Sequence, residues 1–325
     1  MEEKSINLKL KGVISIKSTL VNLTGLLIGS GGGKLEIGEM DIEPLFTYYK
    51  YKIKYADQKS KEEEREIEVP IIPGSSLKGR MRSLLELVLN VPLYSDGKIV
   101  QHFGVSSYEE FKNMSKCLDP KCPICSFFGR PSVQIGNYIS RLHQDTEIDP
   151  LLIDKLEKQL KDFQKLTAPT RMIVRDAVPS VDYINKLASE KAGYDIGRDD
   201  FLEIKPENRI DRVTSAADPR TFARIKPYVE FDSEIIFNIY FDFDLDNFKK
   251  IVSGLSLLEK SYLGAAGSRG YGKIKFKNIK MTLIPVKSIL GEEEIKKVFE
   301  FDDVDSLLSK IDEIIEVARK MFFSE

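Results

Sequence analysis

The sequence predicts an α+β fold: a ferredoxin-like (RRM-like) β-α-β-β-α-β core with large insertions and a C-terminal helical segment. Two observations lead there. Ile235, Phe237, Ile239, Phe241 and Phe243 alternate without a break, the period of a half-buried strand. Two apolar stripes recur at helical spacing, Leu77-Met81-Leu84-Leu85-Val88-Leu89 and Phe248-Ile251-Val252-Leu255-Leu258, each flanked by strand-like runs.

Taken in order, Ile6, Leu8 and Leu10 alternate with polar neighbours and predict a first strand over residues 5–17. Residues 29–70 form a long insertion with five Glu between 62 and 68, expected as a surface lid. Pro73-Gly74 turns the chain into the first helix, where Ser75 or Ser76 can cap free amides. Residues 95–165 make a second insertion, holding all three cysteines and an amphipathic helix near Leu151–Lys165. Thr170–Val178 is the second core strand, followed by a third insertion over 186–228 and the alternating third strand. The second helix runs to about Tyr262; after a glycine loop, Ile274, Phe276 and Met281–Ile284 mark the fourth strand. The core thus spans 1–290, and 291–325 is expected as an acidic amphipathic helix pair, Ile295–Glu300 and Val304–Phe323.

With 42% hydrophobic and 31% charged residues over 325 positions, wholesale disorder is excluded. No uncharged apolar run approaches the roughly 20 residues that span a bilayer, and no apolar segment follows a basic flank at the N-terminus. Neither a membrane partner nor secretion is expected. Three cysteines crowded between Cys117 and Cys125 fit a reducing cytoplasm and a metal better than a disulfide framework. The net charge of −2 hides a segregation: residues 291–325 carry −6, whereas Ile71–Arg82, Lys165–Arg175 and Ile204–Tyr228 carry +3 each and Gly264–Lys280 carries +5. Gathered on one face, these stretches would bind phosphates whatever the overall charge.

The sharpest inorganic signal is His102-x14-Cys117-x4-Cys122-x2-Cys125. Zinc takes four N/S donors tetrahedrally, and Cys122-Pro-Ile-Cys125 is a knuckle delivering two thiolates from one turn. His143 is the alternative fourth ligand. A closed four-ligand site leaves no position for substrate, so Zn²⁺ here is expected to be structural; its loss should unfold the insertion and spare the sheet. The loop Leu263-Gly-Ala-Ala-Gly-Ser-Arg-Gly-Tyr-Gly272 lets backbone amides approach an anion, with Arg269 as a bidentate phosphate donor. It runs helix to strand and lacks Gly-Lys-Ser/Thr, so nucleotide hydrolysis is not supported. Ile71-Ile-Pro-Gly-Ser-Ser-Leu-Lys-Gly-Arg-Met-Arg82 pairs a helix N-terminus with three cations, again favouring an anion.

The Pro-Gly-Ser-Ser-Leu-Lys-Gly helix start and the Gly-Ser-Arg-Gly-Tyr-Gly loop together resemble the RAMP superfamily of CRISPR proteins. Gly25-Leu-Leu-Ile-Gly-Ser30 resembles the family's strand exit, and Thr170-Arg-Met-Ile-Val-Arg-Asp-Ala177 its second core strand. Asn208-Arg-Ile-Asp-Arg-Val-Thr-Ser-Ala-Ala-Asp-Pro-Arg220 is similar to the thumb segment of backbone subunits in type III-A (Csm) effector complexes. The resemblance runs from about Ile6 to Phe276, interrupted by the insertions. It departs from the family at Leu27, where many relatives carry a histidine, which weakens an RNA contact there.

The resemblance implies a subunit that polymerises along a guide RNA (crRNA), with a thumb from each copy displacing one base of the guide–target duplex. It implies an endoribonuclease that cuts target RNA opposite each displaced base with Mg²⁺ or another divalent cation. The matching motif, Glu36-Ile-Gly-Glu-Met-Asp41, assigns that role to Asp41 as metal ligand or general base. RNA contacts are expected from Ser75, Ser76, Lys78, Arg80, Arg82, Arg171, Arg209, Arg212, Arg220, Ser268 and Arg269. The implied partners are guide and target RNA, further copies of the chain, and other Csm subunits, including a Csm4-type RAMP neighbour and the large Cas-ten subunit. Three alternatives stay open: a scaffold without cutting activity, a type III-B (Cmr) backbone subunit, and a guide-processing RAMP endonuclease. The last usually works through a histidine, and this chain has only His102 and His143.

Overall fold

A computed structural model describes residues 8–29, 43–54, 62–131, 135–167, 169–191, 195–292 and 296–323. The first strand, β1 (Gly12–Asn22), buries Ile14, Ile16 and Leu20. A charged hairpin follows, β2 (Phe46–Lys54) and β3 (Glu62–Pro70), in which Lys50 faces Glu66 and Lys52 faces Glu64. Opposite charges so placed across the strands favour the ladder. Helix α1 (Gly74–Val88) buries Leu77, Met81 and Leu85. Next come a short ladder, β4 (Tyr94–Ser95) with β5 (Val100–Gln101), and four helices: α2 (Tyr108–Lys112), α3 (Pro123–Phe128), α4 (Ile135–Gln144) and α5 (Pro150–Thr167).

The expected strand over Thr170–Val178 is broken into β6 (Met172–Val174) and β7 (Val178–Pro179). Helix α6 (Val181–Glu190) leads to a second hairpin, β8 (Leu202–Ile210) with β9 (Ala217–Ile225), and on to β10 (Glu230–Ile239). The alternation seen in the sequence therefore stops at Ile239. Asp244 accepts hydrogen bonds from the Tyr240 and Phe241 amides at 3.0 Å each, which starts α7 (Asp242–Lys260). Phe241 and Phe243 stack on each other, with centroids 5.3 Å apart, instead of continuing the strand. Strand β11 (Ile274–Pro285) and helix α8 (Val286–Ile289) precede the main departure from expectation. In place of the helix expected over 295–300, β12 (Lys297–Asp303) is a strand paired with β11, and only α9 (Val304–Ser309) and α10 (Ile311–Phe323) are helical. The segment after 290 thus completes the sheet as well as capping it.

The main sheet is antiparallel, in the order β12-β11-β1-β10-β6, with β7 also on β10. Gly12 lies opposite Ile239 and Pro285, the ends of both neighbours, and the last backbone bonds to them are made by Lys11, with Ile239 and Val286. The first strand consequently sits later than residues 5–17. Helices α1 and α7 pack together over the sheet, and α10 packs on α7. Phe248, Ile251, Val252, Leu255 and Leu258 of α7 are essentially fully buried, at about 1.5–3 kcal/mol each. A separate cluster, including Tyr108, Phe111, Leu142, Leu156 and Leu160, holds α2, α4 and α5 together. Among the described residues, no helix is long and apolar enough to cross a membrane.

Candidate nucleic-acid interface and metal centre

Helix α1 begins without a side-chain cap from either Ser75 or Ser76. The cap comes instead from Asp176, beyond β6, whose Oδ1 accepts from the Gly74 amide at 2.7 Å. Only glycine fits at 74, because a Cβ would fall 2.2 Å from the Val174 carbonyl oxygen. Ser75 is left exposed and Ser76 half-buried. Lys78 turns inward and donates to the Met172 carbonyl at 2.9 Å; burial and the nearby Arg82 lower its pKa.

Arg80 lies over the Tyr262 ring at 4.1 Å and donates to the Tyr262 carbonyl and to Ser261 Oγ. It clamps α1 to the entrance of the glycine loop. Arg82 donates to Glu86 and to the His102 carbonyl, tying the same helix to the metal cluster. Both guanidinium groups therefore have structural partners within the chain.

The glycine loop is built to one shape. Gly272 N–H donates to Gly25 O at 2.9 Å and Ala265 N–H to Leu27 O at 2.8 Å, zipping the loop to the chain leaving β1. Gly264 adopts φ +79°, and a Cβ there would meet the Leu27 carbonyl oxygen at 2.4 Å. The turn at 267–269 leaves Ser268 and Arg269 exposed. Arg269 reaches Glu207 of β8 at 3.4 Å. The buried Tyr271 donates its hydroxyl to the same carboxylate at 2.7 Å and lies beneath the cations of Lys205 and Arg224. These bonds hold the Glu207 carboxyl below the usual carboxylate range, the Tyr271 hydroxyl first among them. A latch of Tyr271, Glu207, Lys205 and Arg224 so joins loop to hairpin. Sequence patterning does not reveal it, although Tyr271 stands inside the glycine motif, because its partners are more than 40 residues away.

At the hairpin tip, Asp211 accepts from the Val213 and Thr214 amides and from the Thr214 hydroxyl, which shapes the turn. Arg212 and Val213 are exposed there. Arg209 and Arg220 flank Asp218 at 3.1 and 3.5 Å, and both remain open to solvent. Arg171 is a correction. Expected to contact RNA, it is fully buried, 3.3 Å from Asp244 and facing the Tyr240 and Phe241 rings. Burial lowers its pKa and raises that of Asp244. Arg171 stands just before β6, where Asp244 at the start of α7 and the Pro169 carbonyl hold its guanidinium inside. Asp41 lies outside the described residues.

His102, Cys117, Cys122 and Cys125 do converge. Their ligand atoms lie within 4.8 Å of one another and all four residues are buried. Cys122 caps α3 by accepting from the Cys125 amide at 3.4 Å, the knuckle geometry expected. His102 Nδ1 donates to the Pro92 carbonyl at 2.8 Å, which turns Nε2 towards the cysteines, 3.3 Å from Cys122 Sγ. Burial works against a charged His102, but hydrogen bonds to Cys117 and Cys122 prevail and raise its pKa to about 10. Four soft donors at this spacing fit a tetrahedral zinc ion. His143 is elsewhere, on α4, paired with Glu157 at 3.0 Å. All three cysteines pack in the main core and not in the separate helical cluster, so the centre is bolted to α1 and α7. The expected independence of metal and sheet does not follow from this packing.

The RAMP superfamily model matches residues 19–275. A protein of Methanocaldococcus jannaschii named CRISPR system Cms endoribonuclease Csm3 is 33% identical over 304 residues, 93% of this chain and 92% of that one. Its namesake from Methanothermobacter thermautotrophicus is 34% identical over 294 residues, 86% of this chain and 90% of its own. The crystal structure of Methanopyrus kandleri Csm3 is alike in fold, with a TM-score of 0.51 at 18% identity, covering 94% of this chain and 97% of the other.

Proposed function

Because the chain belongs to the RAMP superfamily, we propose that it is the RNA-binding backbone subunit of a type III-A CRISPR interference complex, lying along the guide and cutting complementary target RNA at regular intervals. The strand order supports a ferredoxin-like core, with 29–70 as lid, 95–165 as zinc-binding insertion and 186–228 as thumb. One observation carries the RNA-binding reading: a continuous chain of contacts from Arg80 on α1, through the glycine loop, to Glu207 on the hairpin. It gathers Ser75, Ser268, Arg269, Arg209, Arg212 and Arg220 on linked elements. Donors to phosphate position a strand without reading its sequence, which suits a subunit that must accept any guide.

Cutting is assigned to Asp41, as general base towards the ribose 2′-hydroxyl or as the hard oxygen ligand of a divalent cation, which would stabilise developing charge. Zinc is held by His102, Cys117, Cys122 and Cys125 in a structural role. The partners in this reading are guide and target RNA, further copies of the chain, a Csm4-type neighbour and the large Cas-ten subunit. The test is incubation of the assembled complex with target RNA and Mg²⁺. Wild type should give evenly spaced products, and Asp41→Ala none, with guide and target still bound. Undiminished cutting in that variant would move the chemistry elsewhere; failure to bind would make Asp41 structural.

A further inference from the structure

The sheet face opposite α1 and α7 carries a cleft of about 520 Å³ that the interface above does not use. Lys17, Glu234 and Lys280 line it, alternating with the buried Ile16, Ile235 and Met281. Its wall is the β2–β3 hairpin, which presents Tyr49, 46% exposed. Tyr49 is not a loose surface ring. Its centroid is 5.0 Å from Tyr51, and Tyr51 is buried with its hydroxyl donating to the Pro179 carbonyl at 2.8 Å. The charges in the cleft are unequally engaged. Lys17 has Glu234 at 3.6 Å, Lys280 has Glu300 at 3.2 Å, and Asp176 caps α1. Among the described residues, the side chains of Arg175 and Asp232 have no hydrogen bond or ion pair. A fixed aromatic face, a free guanidinium and a free carboxylate thus share one open cavity large enough for a nucleotide.

We propose that this cleft is a nucleotide subsite: the base stacks on Tyr49, an N–H on its edge donates to Asp232, and a phosphate meets Arg175. The proposal rests on the RNA-binding reading and adds a contact surface to it. Stacking on an aromatic face tolerates any base, and a guanidinium matches phosphate bidentately. The same chemistry could be supplied by a nucleotide within a bound strand or by a free mononucleotide.

The experiment measures binding of the purified full chain to a labelled single-stranded RNA and, separately, to AMP. Wild type is compared with Tyr49→Ala, Tyr49→Phe, Arg175→Ala and, as a control on the hairpin, Arg212→Ala; melting temperatures confirm that each folds. Tyr49→Ala should weaken RNA binding about tenfold, while Tyr49→Phe, which keeps the π face, stays within about twofold. Arg175→Ala should weaken binding and reduce the salt slope by about 0.7, the share of one phosphate. The same pattern with AMP alone would assign the site to a mononucleotide. If Arg212→Ala loses affinity while Tyr49→Ala and Arg175→Ala bind both ligands as wild type does, the subsite is wrong and the RNA reading stands. Equal losses from Tyr49→Ala and Tyr49→Phe would also overturn it, by showing that stacking does not hold the base. Failure of wild type to bind RNA would instead sink the underlying reading.

Discussion

Arg171 meets Asp244 at 3.3 Å with both side chains out of solvent, and Asp244 also caps α7 through two amides. Removing one partner of such a pair strands the other charge, which typically costs about 3–5 kcal/mol, whereas a well-packed apolar replacement is often tolerated better. Arg171→Ala should therefore lower the urea midpoint sharply, and Arg171→Met less; equal midpoints for wild type and Arg171→Ala would refute the structural role. Tyr271→Phe removes the hydroxyl that holds Glu207, a bond to a charged group worth about 1.5–3 kcal/mol. Trypsin should then cut faster at Arg209 and Arg212, and unchanged cleavage would show that the latch does not restrain the hairpin. The contrast between Arg171 and Arg269 marks what the sequence could not supply. Both stand in basic stretches, but net charge does not say whether a cation turns inward or outward, and the partner of Arg171 lies 73 residues away.

At the scale of elements, the knuckle on α3 has the clearest consequence. Cys117, Cys122 and Cys125 pack with Leu77, Met81 and Phe248 in the main core, and Arg82 bonds the His102 carbonyl. Chelation or Cys122→Ser should thus lower the melting temperature of the whole chain and expose α1 and α7 to hydrogen exchange. Exchange confined to residues 95–165 would restore the idea of an independent excursion. The convergence of His102 with the three cysteines was legible from spacing alone, since four soft donors within 24 positions have few other uses. The helices of the core were equally legible from their stripes. Hairpin β2–β3 was not, although Tyr49, Tyr51 and Ile53 alternate with Lys50 and Lys52: the five Glu of the second strand read as a solvated lid, whereas the structure buries Tyr51, Ile53, Ile67 and Val69 in the main core. In β12 the signal was present, Phe299 and Phe301 at a spacing of two, but the acidic run around it read as an exposed helix.

For the whole molecule, the proposed RNA surface is a set of cations on three linked elements, in a chain whose net charge is only −2. RNA affinity should therefore fall steeply with salt, and each phosphate-binding cation removed by mutation should flatten the slope by about 0.7. Arg212→Ala should show that change. Arg319→Ala, whose guanidinium is tied to Asp242, Asp246 and Glu316, should not. A slope the same in both variants would mean that the hairpin tip does not touch phosphate.

Strand β1 lies between β10 and β11, so residues 12–22 find their partners only among residues 230–285. On a ribosome adding about 5–20 residues per second, roughly 13–50 s separate the appearance of the strand from the arrival of its second neighbour. Until residues 230–239 emerge, Ile14, Ile16 and Leu20 have no sheet to enter, while His102 and the three cysteines, complete by residue 125, have long since emerged. The nascent chain is thereby exposed to chaperones with its first apolar strand unpaired, and the cysteine knuckle can close well before the sheet can form.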